Sequence, residues 1–228
     1  MIYFIPARKG SKTVLNKNVR SVCGKPMIEW TFESVKKQPE KVFVSGDSQE
    51  VLDLAKEYGF HILKRDAHLC EDETTMSDVL FDFAKKVPSQ EEVMVLYPTN
   101  VLRGEFHIIE SRGLWQAKGT KWGSLMSVSP VYHRPYGLMK IDEQGCLKLN
   151  QPEGTQYYRK QDVPIVYRAN GAIFIIPIPL LLDCKVDSQL FSEKTLAYAM
   201  SEEDGFEIDT ETDLTIAEAL LGRRLASK

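Results

Sequence analysis

From Ile2 to Val128, short apolar runs alternate with stretches of helical period, a pattern that few architectures accommodate. Residues 2–5, 42–44, 60–63, 93–96 and 124–128 read as strands. Residues 27–37, 49–58, 76–86 and 105–116 read as helices. Pro26 suits a first helical turn and Lys36-Lys37 a last one. Ser48 can cap the second helix, and Gly59 stops it. This alternation predicts a mostly parallel sheet covered on both faces, a doubly wound α/β fold. Ligands in such folds sit beyond the C-terminal ends of the strands. Residues 8–18, 45–47 and 97–103 each follow a strand, so they are expected to gather at one edge.

The pattern changes after residue 130. Residues 139–149 read as a hairpin, two alternating runs around a Gly-containing turn. A polar, Tyr-rich stretch follows at 151–167. An apolar strand returns at 172–176, 196–200 offer a further strand, and Glu207-Ile208-Asp209 leads into a closing helix at 211–221. No repeat, low-complexity segment or linker divides the chain. One domain over 1–228 is expected, with an antiparallel insertion at about 130–168 that serves as a packing flap or an oligomer contact.

With 43% apolar and 27% charged residues, disorder is excluded. The net charge of −3 does not suit a general nucleic-acid binder, whose basic residues would cover a whole face. Cys23, Cys70, Cys146 and Cys184 are far apart and the histidines lack metal-ligand spacing, so reduced thiols are expected. No apolar run approaches a membrane span, and no basic leader precedes the first strand. A cytoplasmic protein is expected.

Against that balance stands one local excess. Arg8, Lys9, Lys12, Lys17, Arg20 and Lys25 contribute six positive charges with no acid between them. They fall in a Gly- and Ser-containing loop between the first strand and the first helix. Such a loop can hold phosphates, its backbone N–H groups facing the anion while lysine and arginine supply charge. A solvated basic loop is the alternative.

Near the other terminus, Glu207 and Asp209 are two apart, so in a strand both carboxylates would project to one side while Ile208 packs inward. Mg²⁺ takes one or two carboxylates plus substrate phosphates. Helix capping is a second reading of the same segment, with Thr210 as N-cap and Glu211 and Asp213 in the first turn. Both can hold together. Asp47 follows a strand at the presumed ligand edge, where it could touch a base or ribose or simply be solvated. Tyr97-Pro98-Thr99-Asn100 would form a polar turn, and Arg168 with Asn170 suits a carboxylate or sugar hydroxyls. No Ser-His-Asp, Cys-His or GxGxxG arrangement is present.

Taken in order, these segments resemble the acylneuraminate cytidylyltransferases. Residues 5–12 (IPARKGSK) with Lys17-Asn18 look like that family's N-terminal motif. Gly24-Lys25-Pro26, residues 44–47, Pro98-Thr99 with Leu102-Arg103, residues 159–164, residues 167–173 and residues 208–211 follow in the family's order and spacing. The resemblance implies a Rossmann-like nucleotidyltransferase that transfers CMP from CTP to a nine-carbon 2-keto sugar acid, with Mg²⁺ and release of pyrophosphate. It implies that Arg8, Ser11, Lys12, Lys17 and Asn18 hold the phosphates. Arg65 and residues 72–77 would enclose the nucleotide, with Asp47, Pro98 and Thr99 near it. Tyr97, Lys160, Gln161, Arg168 and Asn170 would lie on the sugar side. Asp209 with Glu207 would hold the metal, and Arg8, Lys17 and Asp209 would take part in the chemistry. The hairpin region implies a homodimer. Thr13-Val14-Leu15, Gly46, Tyr97, Val101 and Glu207 depart from the family's usual residues. A transferase for the eight-carbon acid Kdo, or a catalytically silent nucleotide-binding relative, are the alternatives.

Overall fold

The computed structural model describes residues 1–87, 91–118, 123–131, 135–151, 159, 162–183 and 192–227. Its first strand, β1 (Ile2–Ala7), is buried along its whole length, and its alternating side chains feed two cores. Tyr3, Ile5 and Ala7 pack with Ile28 and Phe32 of α1 (Met27–Val35), Val51 and Ala55 of α2 (Gln49–Glu57), and Ile108 and Trp115 of α4 (Glu105–Lys118). Ile2 and Phe4 face the other way, onto Val79, Leu80 and Phe83 of α3 (Met76–Lys86) and Ile178 and Leu181 of α5 (Ile178–Leu182). Helices thus cover both faces, as the alternation predicts. Each buried side chain of this size contributes roughly 1.5–3 kcal/mol of transfer free energy.

β4 (Lys41–Gly46) and β6 (Glu92–Val95) flank β1 in parallel, and β5 (His61–Lys64) extends the sheet beyond β4. On the other side lie β10 (Tyr167–Pro177), β7 (Ser124–Pro130) and β11 (Thr195–Ala199), giving the order β11-β7-β10-β6-β1-β4-β5. The sheet is mostly parallel, with one interior exception. β10 runs antiparallel to both β6 and β7, pairing Phe174 with Val95 and Arg168 with Ser129. Its apolar run at 172–176 carries no sign of direction, so the sequence could not show this. Its register slips between Ala169 and Phe174, and Gly171 lies there in the left-handed region, φ +67°.

The expected hairpin forms a separate two-stranded sheet, β8 (Met139–Ile141) against β9 (Leu147–Leu149). Two short strands, β2 (Ser21–Val22) and β3 (Lys25–Pro26), which the sequence reading did not separate, fold the end of the basic loop onto α1. The closing helix α6 (Glu211–Ala226) packs Leu214, Ala217 and Leu221 against Val22, Met27, Val101 and Ile208. Two local expectations change. Ser48 stands at the start of α2, but its hydroxyl makes no capping bond. Residues 207–209 are not a strand; this extended segment is tied to the neighbouring loop by the Ile208 N–H, which donates to the Thr99 carbonyl (3.1 Å).

Candidate functional site

The parallel strands β1, β4 and β6 end on one edge of the sheet, so the loops that follow them converge there. They frame a cleft of about 390 Å³. Arg8, Ser11, Lys12, Lys17 and Asn18 line it from the basic loop, Arg65 from beyond β5, and Tyr97, Pro98 and Thr99 from the loop after β6. Six positions of the opposite wall, from Leu69 to Val79, complete it.

The basic loop is shaped by its own polar groups. The Asn18 side-chain amide donates to the Arg8 carbonyl (2.9 Å), and the Asp47 carboxylate accepts the Lys9 N–H (2.6 Å). Asp47 therefore closes the loop from β4, and it is not among the residues lining the cleft. Val14, one of the departures from the family pattern, is fully buried as the loop's anchor, while its neighbour Leu15 is exposed. Arg65 lies under the cleft, donating to the hydroxyl and carbonyl of Ser45 (3.3 and 3.2 Å). Burial lowers the pKa of its guanidinium, a sign of a charge held with few compensating acids.

Basic loop and terminal carboxylates meet across the molecule. The Lys17 ammonium donates to the Ile208 carbonyl (3.0 Å) and to Asp209 Oδ1 (3.1 Å), and Arg20 pairs with Glu211 (3.0 Å). Lys17 is only 13% exposed, more firmly held than a loop lysine need be. Beside it, Glu207 accepts a bond from the Thr99 hydroxyl (3.4 Å). Burial raises the Glu207 carboxyl above its ordinary pKa and the neighbouring Asp209 charge adds to this, against the Thr99 bond and the charges of Lys17 and Arg168. Thr210 caps α6 as expected, in a full capping box with Asp213. Capping thus falls to Thr210 and Asp213, which leaves the carboxylates of Glu207 and Asp209 free of that task.

Tyr97 is half-buried in the cleft wall, and its hydroxyl makes no hydrogen bond among the described residues. Its phenol is pushed upward, first by burial and then by the Glu207 charge. Arg168 lies on the exposed first residues of β10, near enough to Glu207 to act on its charge. Asn170 departs from its sugar-side assignment: its side chain is fully buried and its amide is consumed within the protein. Its Oδ1 accepts from the Ser127 hydroxyl (2.6 Å) and the Ala172 N–H (3.1 Å), and its Nδ2 donates to the Ser129 hydroxyl (2.9 Å). Asn170 fixes the bulge from beneath. Lys160 and Gln161 lie outside the described residues.

Asn100 and Arg103, which the sequence singled out as a polar-turn residue and a motif position, act as supports behind the cleft. Asn100 donates to the carbonyls of Asn170 (2.9 Å) and Phe206 (3.3 Å), joining its loop to β10 and to the segment before α6. Arg103, 2% exposed, donates to the carbonyls of Tyr97 (3.0 Å) and Ala172 (2.7 Å) and to the Thr31 hydroxyl (2.7 Å). Without a carboxylate partner among the described residues, its pKa is pushed down to about 9 by burial.

The family model described as Cytidylyltransferase matches residues 2–105. The CMP-N,N'-diacetyllegionaminic acid synthase of Legionella pneumophila is 30% identical over 226 residues, covering 95% of this chain and 94% of that protein. This chain belongs to the cytidylyltransferase family. The N-acylneuraminate cytidylyltransferase of Streptococcus agalactiae is 31% identical over 216 residues, 93% of this chain but 51% of its own length. The chain thus spans about half the length of that curated relative. Among solved structures, a CMP:2-keto-3-deoxy-manno-octonic acid synthetase complexed with CTP superposes with a TM-score of 0.72 at 15% identity, covering 98% of both chains. That likeness shows that the two chains share one α/β architecture. Among the described residues, no helix is long and apolar enough to cross a membrane.

Proposed function

We propose that this chain transfers CMP from CTP to the anomeric hydroxyl of a nine-carbon 2-keto sugar acid, releasing pyrophosphate. The observation that carries the reading is the Lys17–Asp209 contact at 3.1 Å, where the basic loop meets the carboxylates at one end of the cleft. The names of the two relatives, one an acylneuraminate and the other a diacetyllegionaminic acid enzyme, support a nonulosonic acid as acceptor.

In this reading Arg8, Ser11, Lys12, Lys17 and Asn18 hold the triphosphate, and Arg65, Pro98 and Thr99 bound the nucleoside. The acceptor approaches from the side of Tyr97 and Arg168. Its hydroxyl oxygen forms a bond to the α-phosphorus as the bond from that phosphorus to the bridging oxygen breaks and pyrophosphate leaves. Fixed cations around the transferring group supply most of the stabilisation, because they need no reorganisation as charge develops. In this reading Asp209 takes the hydroxyl proton.

Glu207 and Asp209 suit Mg²⁺. The Glu207 carboxyl, raised by burial and by the Asp209 charge beside it, gains from a cation at this pair, and Mg²⁺ bound to phosphates needs no more than two carboxylates. Bound there, Mg²⁺ would neutralise phosphate oxygens. The exposed apolar residues of the hairpin region, Met139, Ile141, Leu147 and Ile165 among them, suit a second copy of the chain, and a homodimer working in the cytoplasm is part of the proposal.

Pyrophosphate release from CTP and Mg²⁺, measured with neuraminic, legionaminic, pseudaminic and eight-carbon acids, tests the reading. Release with a nine-carbon acid is expected. Release confined to the eight-carbon acid, or CTP binding without release from any acid, would replace it. Lys17→Ala should remove most turnover, and because Lys17 also ties the Ile208 carbonyl it should lower stability by about 1 kcal/mol.

A further inference from the structure

In the cation cluster of the cleft stands one acid, Asp72, the first of the residues expected to enclose the nucleotide. Asp72 bridges Arg8, at 3.0 Å from Nη1, and Lys12, at 2.5 Å from Nζ. Arg8 Nη1 also lies 3.2 Å from the Cys70 and Glu71 carbonyls. The same guanidinium nitrogen is therefore spent on three acceptors from residues 70–72. These two cations face the cleft, and the Asp72 carboxylate lies between them, itself part of the lining. Bonds from Lys12 and then Arg8 hold its carboxyl below the ordinary aspartate range, so it is ionised at neutral pH.

We propose that Asp72 is a built-in competitor for the triphosphate: its carboxylate occupies the Arg8 and Lys12 donors, and CTP binds by displacing it. The inference rests on the proposed CTP reading of the cleft and adds a residue that sets nucleotide affinity. A carboxylate and a phosphate oxygen compete for the same charge-assisted donors, and a donor cannot serve both at full strength. The contacts are those of a replaceable acid. Asp72 is 45% exposed and Lys12 80% exposed, so the pairs are screened and cost little to open. The flanking segment is ordered independently, since the Thr74 hydroxyl donates to the His68 carbonyl and Thr75 caps α3 in a box with Asp78. Asp72 can release its cations without the cleft wall unfolding.

The inference fixes the sign of a mutational effect. Were Asp72 there to preorganise Arg8 and Lys12, removing its charge would weaken CTP; as a competitor, its removal must tighten CTP. The effect must also grow with the number of phosphates, because cytidine and its monophosphate engage these cations less. Calorimetric titration of the full chain with CTP, CMP and inorganic tripolyphosphate, on the natural protein and on Asp72→Asn, separates these outcomes. Two exposed ion pairs correspond to roughly three- to tenfold tighter binding of CTP and tripolyphosphate, with CMP shifted much less and the ligand-free melting temperature unchanged. In an Asp72→Asn background, Lys12→Ala should erase most of that gain. If the natural protein binds CTP and Asp72→Asn binds it equally or more weakly, the competitor is refuted while the CTP reading stands. If neither protein binds CTP or tripolyphosphate, both are refuted.

Discussion

At the scale of single residues, one backbone atom decides where a carboxylate of the site can sit. A Cβ at Gly171 would fall 2.9 Å from Glu207 Oε1 and 3.2 Å from its Cδ, at a φ of +67°. Gly171→Ala must therefore strain the backbone and push Glu207 away. The backbone term is about 1–2 kcal/mol of stability, but the carboxylate end is flexible and moves, so turnover should fall much further than the melting temperature. Equal losses in the two measurements would show that Glu207's position does not matter. Glu207→Gln separates function from stability in the other sense. The Glu207 carboxyl is raised in the fold, so its charge is disfavoured there. Its folded state holds a proton more tightly than the unfolded chain, which makes stability fall as pH rises from the unfolded value through the raised one. At neutral pH the neutral amide should raise the melting temperature while turnover drops. The motif positions were legible because chemistry restricts their types: lysines and arginines in an acid-free loop, carboxylates before a capped helix. Asn170 was not. Asparagine reads alike as a ligand or a structural amide, and only its zero exposure distinguishes them.

At the scale of elements, the cleft is held by loops that grip one another rather than by any one of them. The loop after β6 presents Tyr97, Pro98 and Thr99 on its outer side, and Asn100 and Arg103 anchor its inner side to β10, α1 and the segment before α6. Beneath them Asn170 joins β10 to two serines of β7. Asn170→Ala should leave the Ala172 N–H and the Ser127 and Ser129 hydroxyls short of partners in a dry interior. A loss of about 2–4 kcal/mol is expected, and denaturant unfolding would measure it; CTP affinity should weaken with it, because the bulge that brings Gly171 against Glu207 loses its side-chain anchor. An unchanged stability would mean that the bulge holds itself. The helices and parallel strands of the first half were legible because period and punctuation agree: α3 runs over the expected residues, with Thr75 and Asp78 closing its cap. The direction of β10 was not, since a strand buried on both faces is apolar in either direction. Nor was the loss of the expected strand at 207–209. Two-residue spacing describes an extended segment equally well whether or not it joins a ladder.

At the scale of the molecule, the insertion between β7 and β10 is the part that the single chain explains least. Two three-residue strands joined by a turn are marginal alone, yet β8 and β9 expose Met139 at 58%, Ile141 at 72% and Leu147 at 67%, and Ile165 of the same insertion is 70% exposed. Apolar side chains gathered on a slight hairpin mark a surface that another surface covers. In the proposed homodimer that surface is the hairpin region of a second copy. Ile141→Asp combined with Leu147→Asp would place two charges where association must exclude water. Sedimentation should then show a monomer in place of a dimer. Far-ultraviolet dichroism should be unchanged, because neither side chain contributes to a core. Turnover should fall as well if association orders the acceptor side, for Lys160, Gln161 and Arg168 belong to the same stretch of chain. A natural protein that sediments as a monomer, or a double variant that remains a dimer, would assign the hairpin to another partner and leave the cleft, with Arg8, Lys17 and Asp209, complete within one chain.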